Sequence, residues 1–159
     1  MSYEAPAGTI SAVYRPLPEV PGLVRPKSSM QFVAPGSVTD GRYGLFRLEM
    51  HPHAGGPAAH FHRTFSESFY ILDGTVRLYD GGSWIEASAG DFLHVPEGGI
   101  HAFGNESDAT ASMLILFAPG TPREDYFREL AEIADSGRVL EPEERAAFLA
   151  RHDQYMVEP

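Results

Sequence analysis

Residues 55–74 read GGPAAHFHRTFSESFYILDG and residues 90–105 read GDFLHVPEGGIHAFGN. Together they hold His60, His62, Glu67 and His101, three imidazoles and one carboxylate, in a run punctuated by glycine and proline. Residues two apart on a strand share a face and stand about 6 to 7 Å apart, so His60 and His62 can converge on one point. Such convergence is what a metal ion requires, because its nitrogen and oxygen ligands each stand about 2 Å away. The chain contains no cysteine, so any metal must be held by histidine and carboxylate, and neither a disulfide framework nor a thiol nucleophile is available.

Short β-rich runs separated by turn residues surround this stretch. Met30 to Ala34, Tyr43 to Met50, Ser66 to Asp73, Thr75 to Tyr79, Trp84 to Ala87, Phe92 to Val95, His101 to Phe103 and Ser112 to Ala118 read as strands. Asp80-Gly81-Gly82-Ser83 is a hairpin signal between two of them. No helical period of useful length interrupts residues 30–118, and the pattern predicts an all-β sandwich or barrel.

The flanks differ. Residues 1–29 carry Pro6, Pro16, Pro18, Pro21 and Pro26, which interrupt helices and ladders alike. They read as an arm on the surface of the domain or of a second subunit, or as a lid, with room for a short edge strand around Ile10 to Tyr14. Residues 119–159 read as a helical extension. Thr121-Pro122-Arg123-Glu124 has the form of a capping box, and Tyr126, Phe127, Leu130, Ile133 and Ala134 follow at helical spacing up to Gly137. A second helix is expected from Pro142 to about His152 with Phe148 and Leu149 buried. Packing outside the β domain is the plain role for both helices, and covering one mouth of a barrel is the functional one.

A length of 159 residues suits one domain with a proper core. The formal net charge of −10 argues against nucleic acid and anionic membrane, since a phosphate-tracking surface needs excess Lys and Arg. No basic-then-apolar leader and no apolar run of about 18 residues is evident, so a cytoplasmic location is the expectation. Eleven Arg against one Lys, with abundant Ala, Gly and Pro, suggest a GC-rich bacterial genome.

The pattern Gly55-x4-His60-x-His62-x4-Glu67-x6-Gly74 resembles the first motif of the cupin superfamily, short by one residue between the glycine and the first histidine. Gly90-x5-Pro96-x-Gly98-x2-His101-x3-Asn105 resembles the second motif without departure. Fifteen residues, 75–89, separate them. The resemblance is to a small single-domain metal-binding cupin and implies a jelly-roll β-barrel over residues 30–118. It also implies one divalent metal on His60, His62, Glu67 and His101, and a homodimer paired through sheet edges and N-terminal arms. Fe, Mn, Ni, Co, Cu and Zn are all eligible, because affinity order does not select among them. Asn105 is expected to bond turn backbone instead of metal. His51 and His53 form a second His-x-His pair, but Pro52 divides them and the Glu and Gly that complete the motif follow His60. His94 faces the pocket or solvent according to a register that the sequence leaves open. His152 reads as a surface residue.

Three histidines and a carboxylate leave open positions on a five- or six-coordinate ion, which suits reactivity. Three functions follow. One is a dioxygenase acting on a small apolar or aromatic oxygenated molecule, with Glu67 able to loosen and act as a base. A second is a redox-neutral isomerase, lyase or cyclase that polarises a carbonyl, and the third is a small-molecule binding module without turnover. Phe46, Phe65, Phe69, Tyr70, Phe92 and Phe103 are among the candidates to line the pocket, although strand alternation must turn half of such a set outward.

Overall fold

Strand period explains most of the architecture of the computed structural model, which describes residues 2–158. Strand β1 spans Gly22–Arg25, β2 Ser28–Ala34, β3 Gly44–Met50, β4 His60–Phe61, β5 Ser66–Asp73, β6 Thr75–Tyr79, β7 Trp84–Ser88, β8 Phe92–Val95, β9 Ala102–Gly104 and β10 Ala111–Ala118. Helix α1 (Arg123–Asp135), helix α2 (Pro142–Arg151) and a short strand β11 (Tyr155–Met156) follow. Every pairing is antiparallel. One sheet runs β1-β2-β3-β10-β5-β8, a second β7-β6-β9, and β11 pairs with β4.

Alternation decides what lies inside. In β3, Phe46, Leu48 and Met50 are buried while Leu45, Arg47 and Glu49 are only half-buried. In β10 the inward set is Ala111, Met113, Ile115 and Phe117. Phe46 meets Phe32 and Phe117 edge-to-face, with centroids 5.6 and 5.5 Å apart, within the range aromatic pairs prefer. Glu67 sits on the same face of β5 as Phe69 and Ile71, so the period that buries those two carries a carboxylate inward with them.

The strands lie where the sequence predicts them, within two residues at each end, and the sheets have the jelly-roll arrangement. The flanks bring corrections. No strand forms over Ile10 to Tyr14; Ile10, Val13 and Tyr14 are exposed, and the chain first joins a sheet at Gly22, alongside β2. The capping box at Thr121 is not made either. Pro122 occupies the N-cap position without a side-chain bond, and the Thr121 hydroxyl is buried without a partner. The capping box belongs to α2, where Glu141 and Glu144 satisfy each other's backbone and Pro142 opens the helix.

Helix α1 packs on the β domain through Phe127, which lies 5.8 Å from the Phe46 ring, and a second cluster of Tyr126, Phe148 and Leu149, with Met156 of β11 against it, joins the two helices. The C-terminal strand β11 was not legible in the sequence. It pairs Met156 with His60 and Tyr155 with Phe61, tying the end of the chain to the first histidine strand. Among the described residues no helix is long and apolar enough to cross a membrane.

Truncating Phe46, which has no exposed surface, to alanine is expected to cost about 3–5 kcal/mol in urea unfolding, through lost burial and the cavity left behind. Leu72→Ala, on the outward face of β5, is expected to stay within about 0.5 kcal/mol of wild type. Equal losses for the two would contradict the assignment of inner and outer faces.

Candidate metal centre

The two histidine segments are joined through their backbones. His60 N–H donates to the His101 carbonyl at 3.0 Å and His101 N–H to the His60 carbonyl at 2.9 Å, a single antiparallel bridge between β4 and the residue preceding β9. Gly98 N–H donates to the His62 carbonyl at 2.7 Å, so the turn that presents His101 is fixed to the segment that follows β4. That turn requires glycine: Gly98 has φ +80°, and a side chain on Gly99 would stand 2.6 Å from a Val95 methyl group.

These constraints bring together the four residues expected from the sequence. One ligand atom from each of His60, His62, Glu67 and His101 lies within 4.8 Å of all the others, and every one of the four side chains is buried. The second ring nitrogen of each imidazole is occupied by a backbone carbonyl. His60 Nδ1 donates to Ala58 at 2.8 Å, His101 Nδ1 to Gly99 at 3.0 Å, and His62 Nδ1 to Asp153 at 2.6 Å. A carbonyl can only accept, so each Nδ1 must carry the proton, and in the neutral ring Nε2 presents a lone pair.

Two of these Nε2 atoms face a carboxylate oxygen. Glu67 Oε2 lies 3.0 Å from His62 Nε2 and 2.8 Å from His101 Nε2. Lone pairs at that separation repel unless a cation sits between them, and the cation can be a proton or a metal ion. With protons alone the cluster polarises. Burial works against the charged His101 ring, but Glu67 beside it prevails and raises its pKa. Burial likewise pushes the Glu67 carboxyl up, yet the contacts with His101 and His62 outweigh it and hold the group below the usual carboxylate range. His60 stays neutral, pushed down to about 4 by burial and by His101. A divalent ion satisfies the same four atoms without charging any ring, and this donor set fits one.

Residue Asp153 is the support that sequence reasoning missed. The carbonyl of His60 pairs with the His101 backbone, and His62 draws its partner from the far end of the chain. Asp153 is held there by its own carboxylate, which accepts from the Arg63 and Thr64 backbones and from the Thr64 hydroxyl at 2.7–3.1 Å. It adopts φ +54°, a left-handed conformation that Asp and Asn tolerate better than most residues.

The other histidines take no part. His51 is exposed, and so is His53, which pairs with Asp108 at 2.6 Å. His94 lies on the outer face beside Ser68. His152 is not the surface residue the sequence suggested, since it packs against both the Tyr126 and the Phe148 rings, at 5.4 and 5.2 Å. Asn105 braces the loop as expected, with its amide donating to Met50, His51 and Ala109 and its oxygen accepting from Ser107.

A cavity of about 750 Å³ opens from His60 and Glu67, and the C-terminal helices form much of its wall. Tyr126, Phe127, Leu130, Phe148 and Leu149 line it opposite Met30, Leu48, Met50, Phe103 and Ile115. The helices therefore both pack on the domain and enclose the cavity. Of the aromatics considered above, Phe103 alone lines it; Phe46, Phe65 and Phe69 belong to the core, and Tyr70 and Phe92 face outward. Arg123 also lines the cavity. Its signal was present in the sequence as a charge on the apolar stripe Arg123, Tyr126, Phe127, Leu130.

Asp153→Ala is expected to weaken divalent-metal binding about 10- to 100-fold, since the carbonyl that orients His62 loses its anchor. Asp153→Asn, which tolerates the backbone conformation and keeps an acceptor, is expected to fall between. Zinc titration of the metal-free proteins reads the difference, and wild-type affinity in Asp153→Ala would remove Asp153 from the site.

The description "Cupin domain" applies to the family whose model matches residues 46–117. Quercetin 2,3-dioxygenase of Bacillus subtilis (strain 168) is 32% identical over 102 residues, 64% of this chain and 29% of that protein, so the chain spans less than a third of this relative's length. Among solved structures, KdgF from Halomonas sp. superposes with a TM-score of 0.62 at 16% identity, covering 72% of this chain and 99% of that one. The polyketide cyclase RemF from Streptomyces resistomycificus gives 0.55 at 22% identity, covering 69% and 80%. The structural likenesses bear on the fold alone; the family match covers residues 46–117, which contain both motifs and all four candidate ligands, and it identifies that stretch as a cupin domain.

Proposed function

We propose that this chain is a mononuclear divalent-metal oxygenase of the dioxygenase type, acting on a small aromatic or apolar molecule that carries oxygen. The observation that carries the reading is the buried cluster of His60, His62, Glu67 and His101, which reaches a largely apolar cavity through His60 and Glu67. Its volume of about 750 Å³ is in the range of small-molecule sites. The similarity to a quercetin 2,3-dioxygenase supports an aromatic, oxygen-bearing substrate.

A divalent ion in this cage supplies Lewis-acid polarisation of a substrate oxygen and, where it is redox-active, a path for electrons to dioxygen. The chain's residues supply the rest. His60, His62 and His101 would hold the ion through Nε2, their rings fixed by Ala58, Asp153 and Gly99. Phe103 and the helix residues exclude water and seat an apolar body. Glu67 makes both of its contacts through Oε2, and the other oxygen is the one we assign to take a proton from the substrate.

A redox-neutral reaction, such as isomerisation or cyclisation, is the second reading. It is favoured by Arg123 and Tyr126 on the cavity wall, donors suited to a developing oxyanion.

Purified protein is expected to carry a single divalent ion per chain, and His60→Ala and His101→Ala to lose it. Metal retained in full by both variants would remove the centre. With a panel of phenolic and dicarbonyl compounds, the metal-loaded protein is expected to consume dioxygen during turnover. Undiminished turnover under strict anaerobiosis would decide for the redox-neutral reaction.

A further inference from the structure

The lining of the cavity runs against the charge of the molecule. In a chain of net charge −10 the wall contains three arginines, Arg123, Arg138 and Arg145, and one carboxylate, Glu67. Arg138 and Arg145 are exposed, and Arg138 is paired with Glu144. Arg123 is different, being only 4% exposed. Its two hydrogen-bond partners are neutral: Nη1 donates to the His152 carbonyl at 2.8 Å and Nη2 to Gln154 Oε1 at 3.3 Å. The Nε–H is buried with no partner.

A guanidinium in this position is costly, because neutral acceptors offset only part of the desolvation of a full charge. Burial accordingly holds the pKa of Arg123 below its ordinary value. Aromatic rings flank it beside the cavity, with Tyr126 at 4.2 Å and Phe65 at 5.3 Å from the guanidinium carbon. Phe65 in turn stacks on His62 at 4.3 Å, which puts the charge one ring away from the metal centre. Glu67, the carboxylate of the wall, is committed to His62 and His101. What the guanidinium lacks is a planar anion able to accept from Nε–H and a neighbouring N–H together, and a carboxylate has that geometry.

We propose that Arg123 is a specificity-determining residue that pairs with a carboxylate on the molecule bound in this cavity, while another oxygen of that molecule faces the His60, His62, Glu67 and His101 cluster. The second contact rests on the metal-centre reading and the first does not. The substrate class narrows to an aromatic or apolar acid bearing a hydroxyl or keto oxygen. The competing role for Arg123 is a brace: it holds residues 152 and 154 on either side of Asp153, the support of His62. A brace affects stability and metal content but does not distinguish an acid from its neutral counterpart.

The test is calorimetric binding of 3,4-dihydroxybenzoate and of catechol, which differ by the carboxylate, to zinc-loaded and metal-free protein, with metal content measured for each variant. Wild type is expected to prefer the acid by about 10- to 100-fold, the range of a charge-assisted hydrogen bond. Arg123→Gln is expected to reduce that preference to about twofold or less, whatever happens to the melting temperature. Arg123→Lys keeps the charge without the planar fork and is expected to weaken the preference about threefold or more, which provides a reading if Arg123→Gln does not fold. Wild type that binds both alike, or neither, overturns the proposal, as does an undiminished preference in the folded variants. Failure to hold zinc would instead count against the metal centre, and the metal-free arm would still read Arg123.

Discussion

Three imidazole N–H groups donating to three backbone carbonyls are the constraint on which the site depends. Once Ala58, Gly99 and Asp153 fix Nδ1 as the donor, the three Nε2 lone pairs have nowhere to turn but inward, toward one another and toward Glu67. The protein has built a concentration of electron pairs that is stable only around positive charge. In water such a cluster would rotate apart. Here the rings are buried and held between strands, so that charge has to come from a proton shared with Glu67 or from a bound ion.

The local device differs between the histidines in a way that explains the placement of the C-terminus. His60 and His101 each use the carbonyl two residues earlier, an arrangement each segment makes alone. His62 does not use the equivalent carbonyl, that of His60, which pairs with the His101 backbone. It takes the carbonyl of Asp153, and the chain must return to supply it. The β11–β4 pairing, the Asp153 carboxylate clamp on residues 63 and 64, and the Arg123 bonds to residues 152 and 154 all serve that return. The helices between β10 and β11 are the route back, and in taking it they enclose the cavity.

This division marks what the sequence could and could not reveal. Strand alternation and turn chemistry are local, so β3, β5, β6 and the Asp80 to Ser83 hairpin were legible, as were four ligands spaced within the two motifs. Contacts set by the return of the chain were not: nothing near His62 indicates Asp153, some 90 positions later. The Thr121 capping signal failed because Pro122 took the N-cap position and left the hydroxyl buried, while the genuine box at Glu141 uses Glu where Ser or Thr is preferred. The pocket lining was misjudged for a related reason. Alternation told which residues turn inward, but the aromatics that do so fill the core, and the cavity is walled largely by helices whose docking no strand pattern encodes.

The site depends on the tautomers of three histidines, and imidazole nitrogens can be observed directly. Long-range proton–nitrogen correlation spectra of the uniformly nitrogen-15 labelled protein, recorded before and after addition of one equivalent of zinc, report which ring nitrogen carries the proton and which binds the ion. The expected result is three histidines in the Nδ1–H form whose Nε2 resonances move on zinc binding, with the other four histidines unchanged. Nε2 protonation of His60, His62 or His101 in the zinc-loaded protein, or resonances indifferent to zinc, would contradict the account.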